Sequence, residues 1–212
     1  MQPDHVHNGE KIHPFVSIWF STRNTTRYVL ENRNLGYAVT LAAIAGIPLV
    51  LSAGSQYMEQ YSFPIWIVII GSLLLGPLYG LLSWGISTLL FTYIGKWIGG
   101  VGTLQGMGKA MGVVFIPAIW MTPFWILETA ISFNEPSILN GTTGASATGL
   151  IWIVFSTLIT LAYSIFMIVI QSRAIGEVHE FSSWKGFGTL VIPAAVTLGI
   201  LFMISSIFLL IV

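Results

Sequence analysis

Glu128 is the acidic residue most suggestive of chemistry, because it lies in an apolar stretch long enough to enter a membrane. A carboxylate in hydrocarbon is costly unless it is protonated, paired or in contact with water. Pro117 and Pro123, upstream in the same stretch, remove backbone hydrogen bonds and free carbonyl groups. This combination is typical of a proton or cation site beside a broken transporter helix. The alternative, which we favour, is a carboxylate that reaches headgroup water, since only a few residues separate Glu128 from the next polar loop.

A second group of polar side chains, Glu177, His179 and Glu180, lies between the last two apolar stretches. Two carboxylates and an imidazole can bind a divalent metal. Further ligands could come from the N-terminal histidines, which are His5, His7 and His13. The spacing matches no established metal site, so we predict no metal and interpret these residues as polar loop residues in water.

The glycine-rich stretch 99–109 superficially resembles a phosphate-binding loop. That motif requires Gly six residues before its Lys and Ser or Thr directly after it. Relative to Lys109, those positions hold Thr103 and Ala110. We therefore expect no bound nucleotide. Gly99 and Gly100 instead indicate a tight connection that lets two helices approach closely.

No catalytic group of residues is evident, so we expect neither an enzyme nor a cofactor. The chain has no cysteine, which excludes thiolate nucleophiles and thiolate metal sites. Its net charge is formally zero, so there is no basic field for nucleic acid.

The elements that carry these residues are membrane-spanning helices. Of the 212 residues, 55% are hydrophobic and 8% are charged, whereas soluble domains carry about 25% charged residues. A span needs ~20 apolar residues. Five stretches qualify, which predicts an all-α, polytopic helical bundle with spans at 35–53, 64–94, 109–131, 149–170 and 187–212.

Charge placement predicts the topology. The stretch 64–94 is long, and Gly76-Pro77 within it could either kink one crossing or break a re-entrant hairpin. With one crossing, every Lys and Arg lies on the N-terminal side, which is the positive-inside pattern. A hairpin would place Lys96 and Lys109 outside. We therefore predict one kinked crossing, with the N-terminus inside and the C-terminus outside.

The chain divides into a cytoplasmic segment, 1–34, and a transmembrane domain, 35–212. Within the first, residues 14–33 carry an apolar stripe at helical spacing that includes Trp19. Such a helix could lie on the inner leaflet or pack on the ends of the spans. Both alternatives require the same stripe, so the sequence leaves them open.

Three segments in this order resemble the Yip domain family of Ypt/Rab-interacting membrane proteins, most closely its bacterial branch. They are Pro14–Trp19 (PFVSIW), Lys96–Thr103 (KWIGGVGT) and Glu177–Ser182 (EVHEFS). The likeness covers most of the chain and implies the family's five-helix topology. Gly76-Pro77 is also similar to a motif of the eukaryotic branch, but Leu73 and Leu74 replace the acidic residue expected before it. That difference argues against a GTPase-linked role here.

We predict a non-enzymatic adaptor or membrane-organising protein, acting from its cytoplasmic face as a homo-oligomer or with other membrane proteins, because every cation and most motif residues gather at that face. The alternative is a small transporter or channel that uses Glu128 and the kinked helices. We expect a multi-pass protein of a bacterial plasma membrane. The candidate functional residues are Pro14, Trp19, Gly76, Pro77, Gly99, Gly100, Pro117, Glu128 and His179.

Overall fold

The computed structural model describes residues 12–61, 64–134 and 147–211, and every regular element in these ranges is an α-helix. The helices are α1 (Pro14–Phe20), α2 (Thr22–Asn32), α3 (Leu35–Tyr61), α4 (Ile65–Trp97), α5 (Leu104–Val114), α6 (Ile116–Trp120), α7 (Thr122–Asn134), α8 (Ala147–Val178) and α9 (Ser183–Ile211).

Four helices (α3, α4, α8 and α9) are long and apolar enough to cross a membrane within the described ranges. The helices α5 and α6 with α7 form a bent set that would make a fifth span. The prediction of an all-α polytopic bundle is therefore confirmed. At about 1.5 Å per residue, the 33 residues of α4 extend about 50 Å, which exceeds a hydrocarbon core of about 30 Å.

Helix α4 runs without a break through Gly76 and Pro77. Proline inside a helix removes one backbone hydrogen bond, but in a membrane span neighbouring elements can accommodate that loss. The stretch is one continuous helix, so a re-entrant hairpin broken at Gly76-Pro77 is excluded.

The third predicted span, 109–131, is wrong as a single helix. The chain breaks at Phe115 and at Met121, and the parts before and after Met121 are bent by 45°. Pro117 and Pro123 have no N–H to bond the preceding turn, which explains why both breaks lie near them. The backbone bonds to the third preceding residue there, with the Phe115 N–H donating to Gly112 O at 3.3 Å.

Helices α3 and α4 approach each other backbone to backbone. A Cβ added to Gly46 or to Gly80 would overlap main-chain atoms of the opposite helix, and one on Gly76 would lie 2.5 Å from Ile47 Cα. Small residues at such crossings allow the dispersion contacts that associate helices in lipid. Gly76 therefore contributes to packing between spans.

The N-terminal segment forms two helices rather than one. The break is at Ser21, whose φ of −133° and ψ of 57° are not helical. Hydroxyl groups bond locally around it, with Thr25 Oγ1 donating to Ser17 Oγ at 2.8 Å, and such bonds compete with a regular helix. Ile18 and Val29 are fully buried in the core formed with α5 and α8, so this segment packs on the spans.

Candidate functional site

One end of the bundle, here called the cationic end, brings together α2, the turn 98–103 and the turn 179–182. Contacts among these elements connect the basic residues that the sequence disperses. Arg27 reaches Glu177 in α8, Arg23 reaches Ser183, and Lys109 in α5 reaches Leu30 O in α2. The larger of the two buried clusters in the described chain lies beside this end.

His179 is the centre of this region. Its side chain is only 2% exposed, although it directly follows the last residue of α8. The Gly102 N–H donates to His179 Nδ1 at 3.1 Å, and His179 Nε2 lies 3.0 Å from Phe91 O. The ring also stacks on Phe181, with centroids 5.3 Å apart and planes inclined by 7°. The imidazole thereby joins α4, the turn 98–103 and the end of α8.

Three glycines make room for this ring. A Cβ on Gly95 or on Gly100 would overlap ring atoms, and one on Gly102 would lie 2.8 Å from Nδ1. Gly99 differs from them, because it has a φ of +92° and no atom lies within 4 Å of the position of its Cβ. Gly99 therefore supports the turn by its left-handed backbone, whereas Gly100 supports it by lacking a side chain.

The partners of His179 define its protonation state. A backbone N–H can only donate, so Nδ1 must accept, and a carbonyl can only accept, so Nε2 carries the proton. Burial lowers the pKa of His179, the nearby charge of Lys96 lowers it further, and the bond to Phe91 O opposes both. The ring is therefore neutral at pH 7 with both nitrogens occupied.

The turn after α8 is held by its own backbone. Glu180 has a φ of +58°, the left-handed region that non-glycine residues seldom occupy. The Phe181 N–H donates to Gly176 O at 3.0 Å, which closes the end of the helix. The Val101 N–H faces His179 O at 3.4 Å. The two turns are thus attached to each other through backbone as well as side chain.

Helix α2 is fastened across these turns by charge. Arg27 Nε bonds Glu177 Oε1 at 2.7 Å, and Arg23 Nη1 lies 3.8 Å from Glu177 Oε2. Arg23 also donates to Phe181 O at 2.9 Å. The side chain of Glu177 is only 10% exposed, so its charge is compensated inside the fold. Charge-assisted bonds of this kind are stronger than neutral ones.

Helix α1 contributes Pro14 and Trp19. Pro14 is buried at the first position of the helix, where its missing N–H needs no partner. Trp19 stacks on Phe166 of α8 with centroids 4.9 Å apart, and Trp120 Nε1 donates to Phe15 O at 3.0 Å. Both residues named from the sequence are packing residues that fix α1 to the spans.

The polar trio Glu177, His179 and Glu180 does not converge, and the predicted loop 171–186 is helical except at 179–182. Glu177 points to Arg23 and Arg27, while His179 uses both nitrogens in the fold. No group of three metal-ligating side chains gathers anywhere in the ranges that the structure describes. The expectation that His179 is a water-exposed loop residue is wrong, because the glycines let the backbone close around it. His5 and His7 lie outside the described residues.

The other candidates lie away from this end. Gly76 and Pro77 belong to the α3–α4 crossing, and Pro117 is buried in α6 at the bend. Glu128 lies on α7, four residues after Phe124 and therefore on the same helical face. Phe124 stacks on Trp152 of α8 at 6.2 Å. Glu128 is half-buried, and no described residue forms an ion pair with it.

A cavity of about 330 Å³ opens at the cationic end. Its lining combines one cation and one acid with turn residues, and Glu128 is not part of it. The lining residues are Leu30, Val101, Gly102, Thr103, Gln105, Gly106, Lys109, Val178 and Glu180.

The turns 98–103 and 179–182 with α2 are here called the cap. Together with the long apolar helices and the broken span, the cap defines a multi-pass α-helical membrane protein. The Yip1 domain matches this chain over residues 16–205, and the chain therefore belongs to the Yip1 domain family. The matched range includes α2, the glycine turn and the turn at His179. Comparisons with curated proteins and with solved structures find no match.

Proposed function

We propose that this protein is a non-enzymatic adaptor that organises other membrane proteins, and that the cationic end is its working surface. The proposal places this end in the cytoplasm of a bacterium, with the protein in the plasma membrane. The positive-inside rule supports that orientation, because the described Lys and Arg residues gather at one end. Membership of the Yip1 domain family supports membrane-protein partners.

The observation that carries the proposal is that the cap is held in one arrangement around His179. Its glycines, hydrogen bonds and ion pairs fix two connections that would otherwise be free to move. A surface fixed before binding loses little conformational entropy when a partner docks. Exposed apolar residues lie on this fixed surface, including Val101 at 64% and Leu104 at 47% exposed.

The test separates the surface from its support. Val101→Asp changes an exposed residue of the turn 98–103, and Gly100→Ala disturbs the turn from beneath. Both variants should lose the partners that wild type retains in a crosslinking pull-down from its own membranes. Leu74→Ala, on an apolar face of α4 far from the turn, is the matched control and should retain them. Partners that stay bound to both test variants would refute the adaptor proposal.

The same experiment identifies the kind of partner. Crosslinked species at twice the mass of the chain would show a homo-oligomer, and other masses would show a different membrane protein. Trp19→Ala provides a further comparison. Because Trp19 stacks on Phe166 in the fold, its loss should act through displacement of α1.

A transporter is the second candidate, favoured by one observation. A half-buried carboxylate without a cationic partner in the described chain follows a 45° bend in its span. Unwound backbone beside an acidic group is a common ion-site arrangement in transporters. Proton or cation flux into liposomes should then fall in Glu128→Gln. Flux equal to that of protein-free liposomes would remove this candidate.

A further inference from the structure

The described basic residues of the cationic end fall into two groups with different contacts. One group is engaged within the fold: Arg23 and Arg27 with Glu177, Lys109 with Leu30 O, and Arg33 with the ring of Tyr37 at 5.1 Å. The other group consists of Lys96, Arg173 and Lys185. Their side chains are exposed and form no hydrogen bond, ion pair or ring contact with any residue in the described ranges.

These three unengaged cations lie on adjoining helices. Arg173 and Lys185 are the sequence neighbours of Ser172 and Gly186, where α8 and α9 touch: a Cβ on Gly186 would overlap Ser172 O. Lys96 follows Gly95, which packs on His179, and α4 also contacts α9. The three charges therefore lie where α4, α8 and α9 meet at the cationic end, and together they are here called the patch.

Two tryptophans flank the patch. Trp97 is 80% exposed and Trp184 is 78% exposed, and each is the sequence neighbour of one of the lysines. Indole rings concentrate at the level of lipid headgroups, where one edge meets hydrocarbon and the N–H meets water. Each of the two tryptophans lies at a terminus of an apolar helix, where a spanning helix meets the headgroups.

No described carboxylate forms an ion pair with any of these three cations. Neither α4 nor α9 contains an acidic residue. Glu177 is paired with the arginines of α2, and Glu180 lines the cavity that Lys109 also lines. The unengaged positive charge is therefore complementary to an external anion.

We propose that Lys96, Arg173 and Lys185, flanked by Trp97 and Trp184, form a binding surface for the headgroup of an anionic phospholipid. The phosphate and its net charge bind the three cations, while the indoles hold the headgroup at the hydrocarbon boundary. Zwitterionic lipid binds the same place weakly, because its ammonium group opposes the cations. This surface is independent of the adaptor role and uses side chains that the cap does not use.

Lipid titration of the full chain in neutral detergent tests the proposal. Phosphatidylglycerol is the probe, phosphatidylcholine is the neutral comparison, and thermal stabilisation of the protein reports binding. Each basic residue near a membrane surface contributes an attraction equivalent to a factor of about five. Single Lys96→Gln, Arg173→Gln and Lys185→Gln variants should weaken binding roughly fivefold, and the triple variant roughly a hundredfold. Raising the salt to about 1 M should weaken wild-type binding in the same direction.

Arg33→Gln is the matched control, since it removes one cation from the same end but outside the patch. It should retain wild-type affinity within about twofold. Equal weakening in Arg33→Gln would show a diffuse charge effect and overturn the proposal. Equal affinity for the two lipids, or unchanged lipid binding by the triple variant, would also overturn it. A third contrary result would be that an acidic protein binds the patch while the preference for phosphatidylglycerol is the same in wild type and variants. Because the three side chains form no ion pair in the described chain, the variants should unfold close to the wild-type temperature.

Discussion

The glycine cage around His179 makes a quantitative prediction for Gly95→Ala in α4. In an ordinary helix, this substitution stabilises by roughly 0.5–1 kcal/mol, because alanine loses less backbone entropy than glycine. Here the new Cβ would overlap the imidazole ring, which also stacks on Phe181. Forcing a group into a packed site costs about 1–3 kcal/mol. The hydrogen bonds of His179 to Phe91 and Gly102 would weaken as well, at about 0.5–1.5 kcal/mol each.

After the gain from alanine in a helix is subtracted, the net expectation is a loss of about 1–5 kcal/mol in the free energy of unfolding. Gly85→Ala is the control in the same helix, because nothing lies within 4 Å of its Cβ position. It should be neutral or stabilising by up to about 1 kcal/mol. Unfolding by SDS in mixed micelles measures both. If the two variants have equal stability, the ring is not close-packed against α4 and the reasoning is wrong.

A double-mutant cycle identifies the contact responsible. His179→Ala alone removes the ring and its bonds, and it also removes the clash that Gly95→Ala would create. The double variant should therefore be about as stable as His179→Ala, instead of showing the sum of the two losses. Additive losses would mean that Gly95 acts through another neighbour.

Three other predictions concern pH, charge and helix packing. The folded-state pKa of His179 lies below 6.5, so its contribution to stability should be complete above pH 6.5 and should decrease as the pH falls through the folded value. SDS unfolding measured against pH checks this, and the pH dependence should be smaller in His179→Gln. Glu177→Gln should destabilise the fold by about 1–2 kcal/mol, because this largely buried carboxylate pairs with two arginines. Arg27→Gln should cost less than about 1 kcal/mol, because Arg27 is 59% exposed, and SDS unfolding of both variants checks which is the less stable. Gly46→Ala should cost about 2–3 kcal/mol by pushing α3 from α4, whereas Gly71→Ala, with open space around it, should be neutral when both are unfolded in SDS.

The spans follow from sequence because their signal is local. Apolar length sets them, and lipid offers no alternative hydrogen-bond partner for the backbone. The continuity of α4 through Pro77 was decided by charge placement, and the structure agrees. The breaks at Phe115 and Met121 were not placed, although Pro117 and Pro123 indicated the region. A proline weakens a turn locally, but whether the helix bends or breaks depends on what packs against it.

The role of His179 could not be read from its neighbours in sequence. Its cage is built by glycines 77 to 84 positions earlier in the chain, and only the folded structure brings them together. The sequence favoured a polar loop residue in water, because His179 stands between two carboxylates in a connection between apolar stretches. A signal was nevertheless present in Gly95, Gly100 and Gly102, since glycines concentrated at a helix end indicate a close approach by something. The sequence did not identify that neighbour as an imidazole.

The division of the cations has a consequence for how function can be separated from folding. Arg23, Arg27 and Lys109 are engaged with the elements that form the cap, so removing them changes the surface that they hold together. Lys96, Arg173 and Lys185 form no ion pair in the described chain, and only Lys96 acts on the cap, through its charge near His179. A defect of Arg173→Gln or Lys185→Gln in a protein of unchanged stability would therefore come from a lost contact with something outside the chain. A defect shared by both groups would instead require that the patch and the cap act together.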